Sequence, residues 1–183
     1  MFFILALLFL VSPTHPLWSA SERAVDTYDL EAAYLIHFLE FVEWPSDIFA
    51  NAKAPYVIGI VGEDPFGDRL ERLCSGRLFN GRKAVIRRLG GYDTEEAKTL
   101  LSCHVLFVAG SEKVRLGNIL RVVNKAPILT VSEIEKFPLF GGIIEFDQEG
   151  KKIRLVLNHK AAKNSKLQVR ARLLQVCRIF RAE

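Results

Sequence analysis

Short apolar runs alternate with amphipathic segments along the middle of the chain, and this alternation strongly constrains the fold. Four runs are typical of strands, and helix signals separate them: Tyr56–Val61, Lys83–Leu89, His104–Ala109 and Ile128–Val131. His104–Ala109 is a continuous apolar run, as in a strand buried on both faces of a parallel sheet. Repeated β-α-β units require right-handed crossovers, which place helices on both faces of such a sheet.

The pattern changes towards the end of the chain. Ile143–Phe146 and Ile153–Leu157 are joined by a polar segment and predict a hairpin. Helices are predicted from about Asp26 to Glu43 and from about Lys166 to Arg181. We therefore predict an α/β fold in a single three-layer domain. Its mostly parallel sheet has about four strands, with an antiparallel hairpin at one edge and helices on both faces.

The start of the chain predicts export. Phe2–Val11 is an apolar run of ten residues, about half of the ~20 that a membrane-spanning helix needs. Small and turn-forming residues follow it, as at the end of a secretory leader. We predict a signal peptide at residues 1–21, cleaved near Ala20 or Ser21, and a domain at residues 22–183. A membrane-anchored or buried N-terminal segment is the alternative.

Charge is unevenly distributed along the chain. Residues from Lys151 to the C-terminus include ten Lys or Arg and one acidic residue, although the whole chain has a net charge of only +4. Such a basic segment is commonly a solvated surface. The functional interpretation is a surface that faces an acidic partner or anionic lipid headgroups. Export argues against nucleic acid as the partner.

The sequence contains no convincing catalytic or metal-binding motif. Glycines surround the first strand but form neither G-x-G-x-x-G nor G-K-[ST], and no G-x-S-x-G elbow occurs. No cysteine–histidine set has zinc-finger spacing, so we predict no metal and no cofactor. Cys103 and His104 are adjacent, but neighbours on a strand point to opposite faces and cannot act as nucleophile and base. The chain is therefore predicted not to be an enzyme.

A ligand pocket is predicted where the parallel strands end, because ligands of such sheets bind beyond the carboxyl ends of the strands. The candidate pocket residues at that edge are Gly62, Asp64, Phe66, Gly110, Ser111, Thr130 and Ser132. They define a second functional hypothesis, a periplasmic module that senses or binds a small molecule.

Two of the three cysteines form a disulfide candidate. Cys74 and Cys103 are both expected at the amino edge of the sheet, and one disulfide plus one free thiol is usual for an exported chain with three cysteines. The enclosed loop of about thirty residues would contribute roughly 3–4 kcal/mol. Two separate buried thiols are the alternative. Cys177, on the apolar stripe of the predicted final helix, is interpreted as a small core residue.

Several short landmarks occur in a characteristic order. They are Ala32-Ala33-Tyr34-Leu35, Phe41-Val42-Glu43-Trp44-Pro45, Ile60-Val61-Gly62-Glu63-Asp64-Pro65-Phe66-Gly67, Cys103-His104-Val105-Leu106-Phe107, Leu129-Thr130-Val131-Ser132, Gly141-Gly142-Ile143-Ile144, and Leu157-Asn158 before Ala161-Ala162. In this order and spacing they resemble the YfiR family of small periplasmic proteins, across essentially the whole mature chain.

The resemblance implies a function. YfiR-like proteins are α/β domains that hold an inner-membrane diguanylate cyclase inactive by binding its periplasmic sensor region, and release of this inhibition raises cyclic di-GMP and favours biofilm formation. The resemblance therefore implies a non-enzymatic periplasmic repressor whose partner is a membrane signalling protein. Family members often dimerise, so a homodimer is also implied. The late disulfides of better-known members have no matching cysteine in the hairpin region of this chain.

Two surfaces are candidates for binding that partner. One is the aromatic end of the first helix, with Phe41 and Trp44, and the other is the basic final helix, with Arg170 and Arg178. An exposed Trp44 would serve as an anchor, because aromatic residues concentrate binding energy. The alternative is that Trp44 packs the helix end against the sheet.

Overall fold

The computed structural model describes residues 19–93, 97–150 and 152–181. Within them, helices α1 to α6 span, in order, Ser19–Phe41, Arg69–Cys74, Ala97–Leu100, Leu116–Val122, His159–Asn164 and Ala171–Val176. Strands β1 to β9 span Val42–Glu43, Tyr56–Val61, Ala84–Arg88, Val105–Val108, Leu129–Ser132, Ile144–Glu149, Lys152–Leu157, Gln168–Val169 and Cys177–Ile179. Most of the predicted leader lies outside the described residues, so residues 1–21 and the cleavage site stay predictions.

Seven strands form one sheet in the order β3-β2-β4-β5-β6-β7-β9. Neighbouring strands from β3 to β6 are parallel, β7 is antiparallel to β6, and β9 is parallel to β7. The strands β1 and β8 form a separate antiparallel ribbon. The predicted α/β fold with a mostly parallel sheet is confirmed. The hairpin lies one strand in from the edge, because β9 pairs with the outer side of β7.

Two buried apolar clusters cover the two faces of the sheet. On one face, which we call the α1 face, helices α1 and α2 pack against side chains such as Ile58 and Phe107. On the opposite α4 face, helices α3 and α4 pack against alternate strand residues such as Val57 and Leu106. Every residue of β2, β4 and β5 is buried, as expected for central strands with helices on both sides.

The prediction of one final helix from Lys166 to Arg181 is wrong. Lys166 has a φ of 57°, which no α-helix continues through. Helix α6 is only six residues long, and Cys177–Ile179 then pairs with β7. Pairing with the open edge of β7 satisfies backbone groups along that edge and outweighs the local helix propensity of this segment. Cys177 therefore lies on a strand, partly buried against the α1 face.

Candidate functional site

An apolar groove lies between the second half of α1 and helix α6. It has a volume of about 320 Å³ and is lined by Tyr34, His37, Phe38, Glu40, Phe41, Arg172, Leu173 and Val176. We call it the α1–α6 groove. Its two walls are more than a hundred residues apart in the chain, so no local sequence pattern indicates it.

The β1–β8 ribbon holds the two walls of the groove together. Val42, directly after α1, pairs with Val169, two residues before α6. The amide of Arg170 donates to the carbonyl oxygen of Phe41 at 2.9 Å, and its Nε donates to Glu43 Oε1 at 2.9 Å. These links fix the end of α1 beside the start of α6.

The groove has a buried base and an exposed rim. Phe38 and Leu173 belong to the core and are almost fully buried, whereas Val176 is 65% exposed. Phe41 is half-buried, with its ring 6.2 Å from the His37 imidazole. An exposed apolar rim over a rigid apolar base is typical of a surface that binds a protein segment.

The predicted partner residues differ in their surroundings. Trp44 is only 9% exposed, and its indole N–H donates to the carbonyl oxygen of His104 at 3.2 Å. Trp44 is therefore not an exposed anchor but packs the helix end against the sheet. The reason is that the chain after α1 enters the ribbon and turns Trp44 onto the sheet, where its ring lies 5.3 Å from that of Tyr56. Phe41, by contrast, lines the groove.

The two predicted arginines do not lie on a basic helix. Arg170 precedes α6 and pairs with Glu43, and Arg178 lies on β9 and pairs with Asp147 at 3.2 Å. Both side chains remain about half or more exposed. The basic surface of the final segment is thus partly neutralised by acidic residues from distant parts of the chain.

Several of the predicted pocket residues at the carboxyl edge form hydrogen bonds or close contacts with neighbouring residues of that edge. Gly62 has a φ of 95°, and a Cβ at this position would lie 2.5 Å from Ser111 Oγ. That hydroxyl accepts the amide N–H of Glu63 at 2.9 Å. Ser132 Oγ donates to the carbonyl oxygen of Val108 at 2.6 Å. The amide of Gly110 donates to Glu133 Oε1 at 3.1 Å.

The remaining predicted pocket residues are not gathered into one cavity. Phe66 is fully buried, with its ring 4.8 Å from that of Phe107. Asp64 accepts the Phe66 amide at 2.8 Å and pairs with Arg88 at 2.6 Å. Thr130 lines a cavity near the amino ends of β5 and β6, away from the edge where the sequence predicts the pocket.

Glu31 is an unusual residue that the sequence analysis did not single out. It lies on α1, is 1% exposed, and its Oε2 has no hydrogen-bond partner. Burial, and then the nearby charge of Glu133, raise the pKa of Glu31 to about 8. Burial, followed by the carboxylates of Glu133 and Glu31, raises the pKa of Tyr28 to about 12. The sequence contains a sign of this burial, because Glu31 lies on the same helical face as the core residues Leu35 and Phe38.

The predicted Cys74–Cys103 disulfide does not form. Both thiols are free, and so is Cys177. Cys74 packs against the α1 face, whereas Cys103 belongs to the cluster on the α4 face, so the sheet separates them. Burial raises the pKa of each of the three thiols to about 11.

His104 has a structural role. Its Nδ1 accepts the amide N–H of Val57 at 3.0 Å, and its ring stacks on Phe49 with centroids 4.8 Å apart. Burial, and then the charge of Arg82, lower the pKa of His104 to about 4, so the imidazole is neutral at pH 7. As expected, Cys103 and His104 do not form a pair, since Cys103 faces the α4 side.

Two further features bear on the type of protein. Across the part of the chain that the structure describes, no group of three or more His, Cys, Asp or Glu side chains is placed to hold a metal ion. In the same residues, no helix combines the length and apolar character needed to cross a membrane. The fold and the α1–α6 groove define a small α/β domain with a partly exposed apolar groove.

Comparison with known families identifies the group to which the chain belongs. Residues 28–178 match the family model described as YfiR/HmsC-like, and the chain is a member of that family. This match confirms the resemblance found in the sequence. No curated protein matches the chain. Family membership supports a regulatory role in the periplasm, connected with diguanylate cyclases and cyclic di-GMP signalling, and not a role as an enzyme.

Proposed function

We propose that the protein is a non-enzymatic periplasmic regulator that binds the periplasmic sensor region of an inner-membrane diguanylate cyclase and represses it. Repression lowers cyclic di-GMP and thereby limits biofilm formation. Family membership supports the regulatory theme. The observation that carries the proposal for this chain is the α1–α6 groove, an exposed apolar surface on a rigid base.

The groove suits an apolar side chain from the partner. Phe38 and Leu173 form a fixed base, so little ordering cost accompanies binding. The rim residue Val176 is 65% exposed and would be covered in the complex. Burial of such apolar surface stabilises a complex by about 25 cal/mol per Å² before the costs of association.

Two charged residues line the groove, Glu40 and Arg172. Glu40 already has a neighbour, because its carboxylate lies 3.5 Å from His37 Nδ1. Arg172 lines the groove, is exposed, and forms no ion pair with any described residue. Arg170 and Arg178 are nearby in sequence but are already paired with carboxylates. We therefore expect a partner segment that presents an apolar side chain next to an acidic one.

Two exposed valines allow a matched test. Val176 lines the groove, and Val114, which is 95% exposed, precedes α4 in the layer on the opposite face. Binding of the purified mature protein to the periplasmic region of the cyclase is measured by biolayer interferometry. We expect Val176→Asp to weaken binding at least about tenfold, or about 1.4 kcal/mol, and Val114→Asp to leave it unchanged. Equal affinities for both variants would exclude the groove as the contact surface.

The groove could also be covered by a second copy of the chain, since family members often dimerise. Sedimentation of the wild type and Val176→Asp without partner distinguishes the two occupants. If both proteins are monomers, the result supports a cyclase segment as the occupant of the groove. A dimer that Val176→Asp dissociates would assign the groove to self-association.

The second hypothesis is a small-molecule sensor with its pocket at the carboxyl edge of the sheet. The structure favours it less, because few of the predicted pocket residues are free to contact a ligand. Ser111, Gly110 and Ser132 are engaged in hydrogen bonds within the edge, and Phe66 is in the core. Thermal unfolding with and without a metabolite panel tests it, because a ligand stabilises the folded state by mass action.

A further inference from the structure

A second cavity lies at the end of the sheet where β5 and β6 begin. It has a volume of about 410 Å³, within the range of small-molecule sites. Its walls come from α4 and the following loop, the short helix at Phe137–Phe140, and α5. Buried Ile128 and Ile143 contribute to its apolar part. This cavity is separate from the α1–α6 groove.

The charged residues that line this cavity are all cationic. They are Arg121 on α4, Lys125 in the loop after it, and Lys160 on α5. No acidic side chain among the described residues lines it. None of the three cations forms an ion pair with a described residue, whereas Arg154, Arg170 and Arg178 in the basic C-terminal part of the chain are each paired with a carboxylate.

Polar groups beside the cations are ordered by the fold. Asn158 donates to the carbonyl oxygen of Pro138 at 3.0 Å and accepts the amide of Ala161 at 2.9 Å, which fixes the start of α5 against the short helix. Thr130 and Ser165 are buried and add hydroxyl groups to the lining. The cavity wall is therefore preorganised, which reduces the entropy cost of binding.

An aromatic residue stands at the same cavity. Phe140 lines it and is 59% exposed, so much of its apolar surface is in contact with water. Gly141, with a φ of 100°, ends the short helix directly after it. A ligand that covers Phe140 would bury this surface, which favours a molecule with an apolar part as well as a charge.

We infer that this cavity binds a small organic anion that carries a phosphate or carboxylate group. Three cations in one concavity repel each other, and an anion between them relieves that repulsion while forming charge-assisted hydrogen bonds. The hydroxyl groups of Thr130 and Ser165 complete the polar contacts, and Phe140 contacts the organic part. This site does not depend on the proposed binding of a cyclase.

Calorimetric titration of the mature protein tests the inference with three probes: inorganic phosphate, phenyl phosphate and citrate. The titration is done at about 0.15 M salt, which screens weak surface attraction. We expect phenyl phosphate or citrate to bind, and phenyl phosphate to bind more tightly than inorganic phosphate. Lys160→Gln and Arg121→Gln are each expected to weaken binding about five- to twentyfold, the typical effect of one charge-assisted contact.

A matched control lies on the same helix as Lys160. Lys163 is exposed on α5 and does not line the cavity, so Lys163→Gln should bind the probes as the wild type does. Phe140→Ala should remove the preference for phenyl phosphate over inorganic phosphate. The inference is overturned if no probe binds at about 10 mM, if the cavity variants bind normally, or if Lys163→Gln weakens binding equally.

Discussion

Trp44 donates its indole N–H to the carbonyl oxygen of His104 at 3.2 Å, and the His104 imidazole accepts the amide N–H of Val57 at 3.0 Å. These two bonds join the segment after α1 to the starts of β2 and β4. The end of α1, which forms one wall of the α1–α6 groove, is thereby attached to the centre of the sheet. Trp44 thus supports the proposed binding surface without being part of it.

Loss of the Trp44 side chain should therefore affect stability more than partner recognition. We expect Trp44→Phe, which removes the N–H donor, to lower the free energy of unfolding by about 1 kcal/mol. Trp44→Ala also leaves a cavity and should lower it by about 3–5 kcal/mol. Urea denaturation measures both values. A Trp44→Ala variant as stable as the wild type would contradict this role.

Glu31 should make the protein less stable as the pH rises. Its pKa is about 8 in the folded chain and ordinarily near 4.5, so between these values the folded state retains a proton that the unfolded state has lost. The stabilisation is complete below about pH 4.5 and is lost as the pH rises through about 8. Glu31→Gln cannot ionise and should be more stable than the wild type at pH 8, by on the order of 2 kcal/mol.

The control for this prediction is Glu40→Gln, since Glu40 lies on the same helix but is partly exposed. Thermal unfolding between pH 5 and 8.5 gives the comparison. Only Glu31→Gln should show a flatter pH dependence of stability than the wild type. If wild type and Glu31→Gln lose stability in parallel, the buried carboxyl is not responsible.

The three cysteines should remain reduced thiols in the purified protein. We expect three alkylated cysteines by mass spectrometry after unfolding in iodoacetamide without reductant. In the folded state alkylation at pH 7 should be slow, because burial raises the pKa of each thiol to about 11 and little thiolate is present. A reductant should leave the melting temperature unchanged. A mass two hydrogens lower, with one alkylated cysteine, would show a disulfide.

Gly62 should not tolerate a side chain. Its φ is 95°, and a Cβ would lie 2.5 Å from Ser111 Oγ and 2.8 Å from Glu112 Cγ. We expect Gly62→Ala to lower the free energy of unfolding by about 1–3 kcal/mol, and urea denaturation measures the change. Gly117 on α4 is the control, since a Cβ there would point into open space. Gly117→Ala should be neutral or stabilising by up to about 1 kcal/mol.

The sequence predicts the central part of the fold well, because each central strand is a continuous apolar run and glycines or caps separate it from the next helix. The prediction for the final segment is wrong, because residues 177–179 carry helix-compatible side chains and become a strand only by pairing with β7. Local propensity contains no information about such an open edge.

The candidate sites are predicted less well for a related reason. Phe41 is a candidate because aromatic residues end the first helix, but the opposite wall of the groove comes from α6, far away in the chain. The cavity with Arg121 and Lys160 likewise joins α4 to α5. The disulfide prediction for Cys74 and Cys103 depends on both thiols lying at the same edge of the sheet. Their position at that edge does not show on which face of the sheet each thiol lies, and the two lie on opposite faces.

The most direct test of the central proposal is the cyclic di-GMP content of cells. Cells lacking this protein are complemented with wild type, Val176→Asp or Val114→Asp, and periplasmic amounts are matched by immunoblot. We predict that cyclic di-GMP rises without the protein, returns to its low level with wild type or Val114→Asp, and stays high with Val176→Asp. An unchanged cyclic di-GMP level in cells lacking the protein would contradict the account.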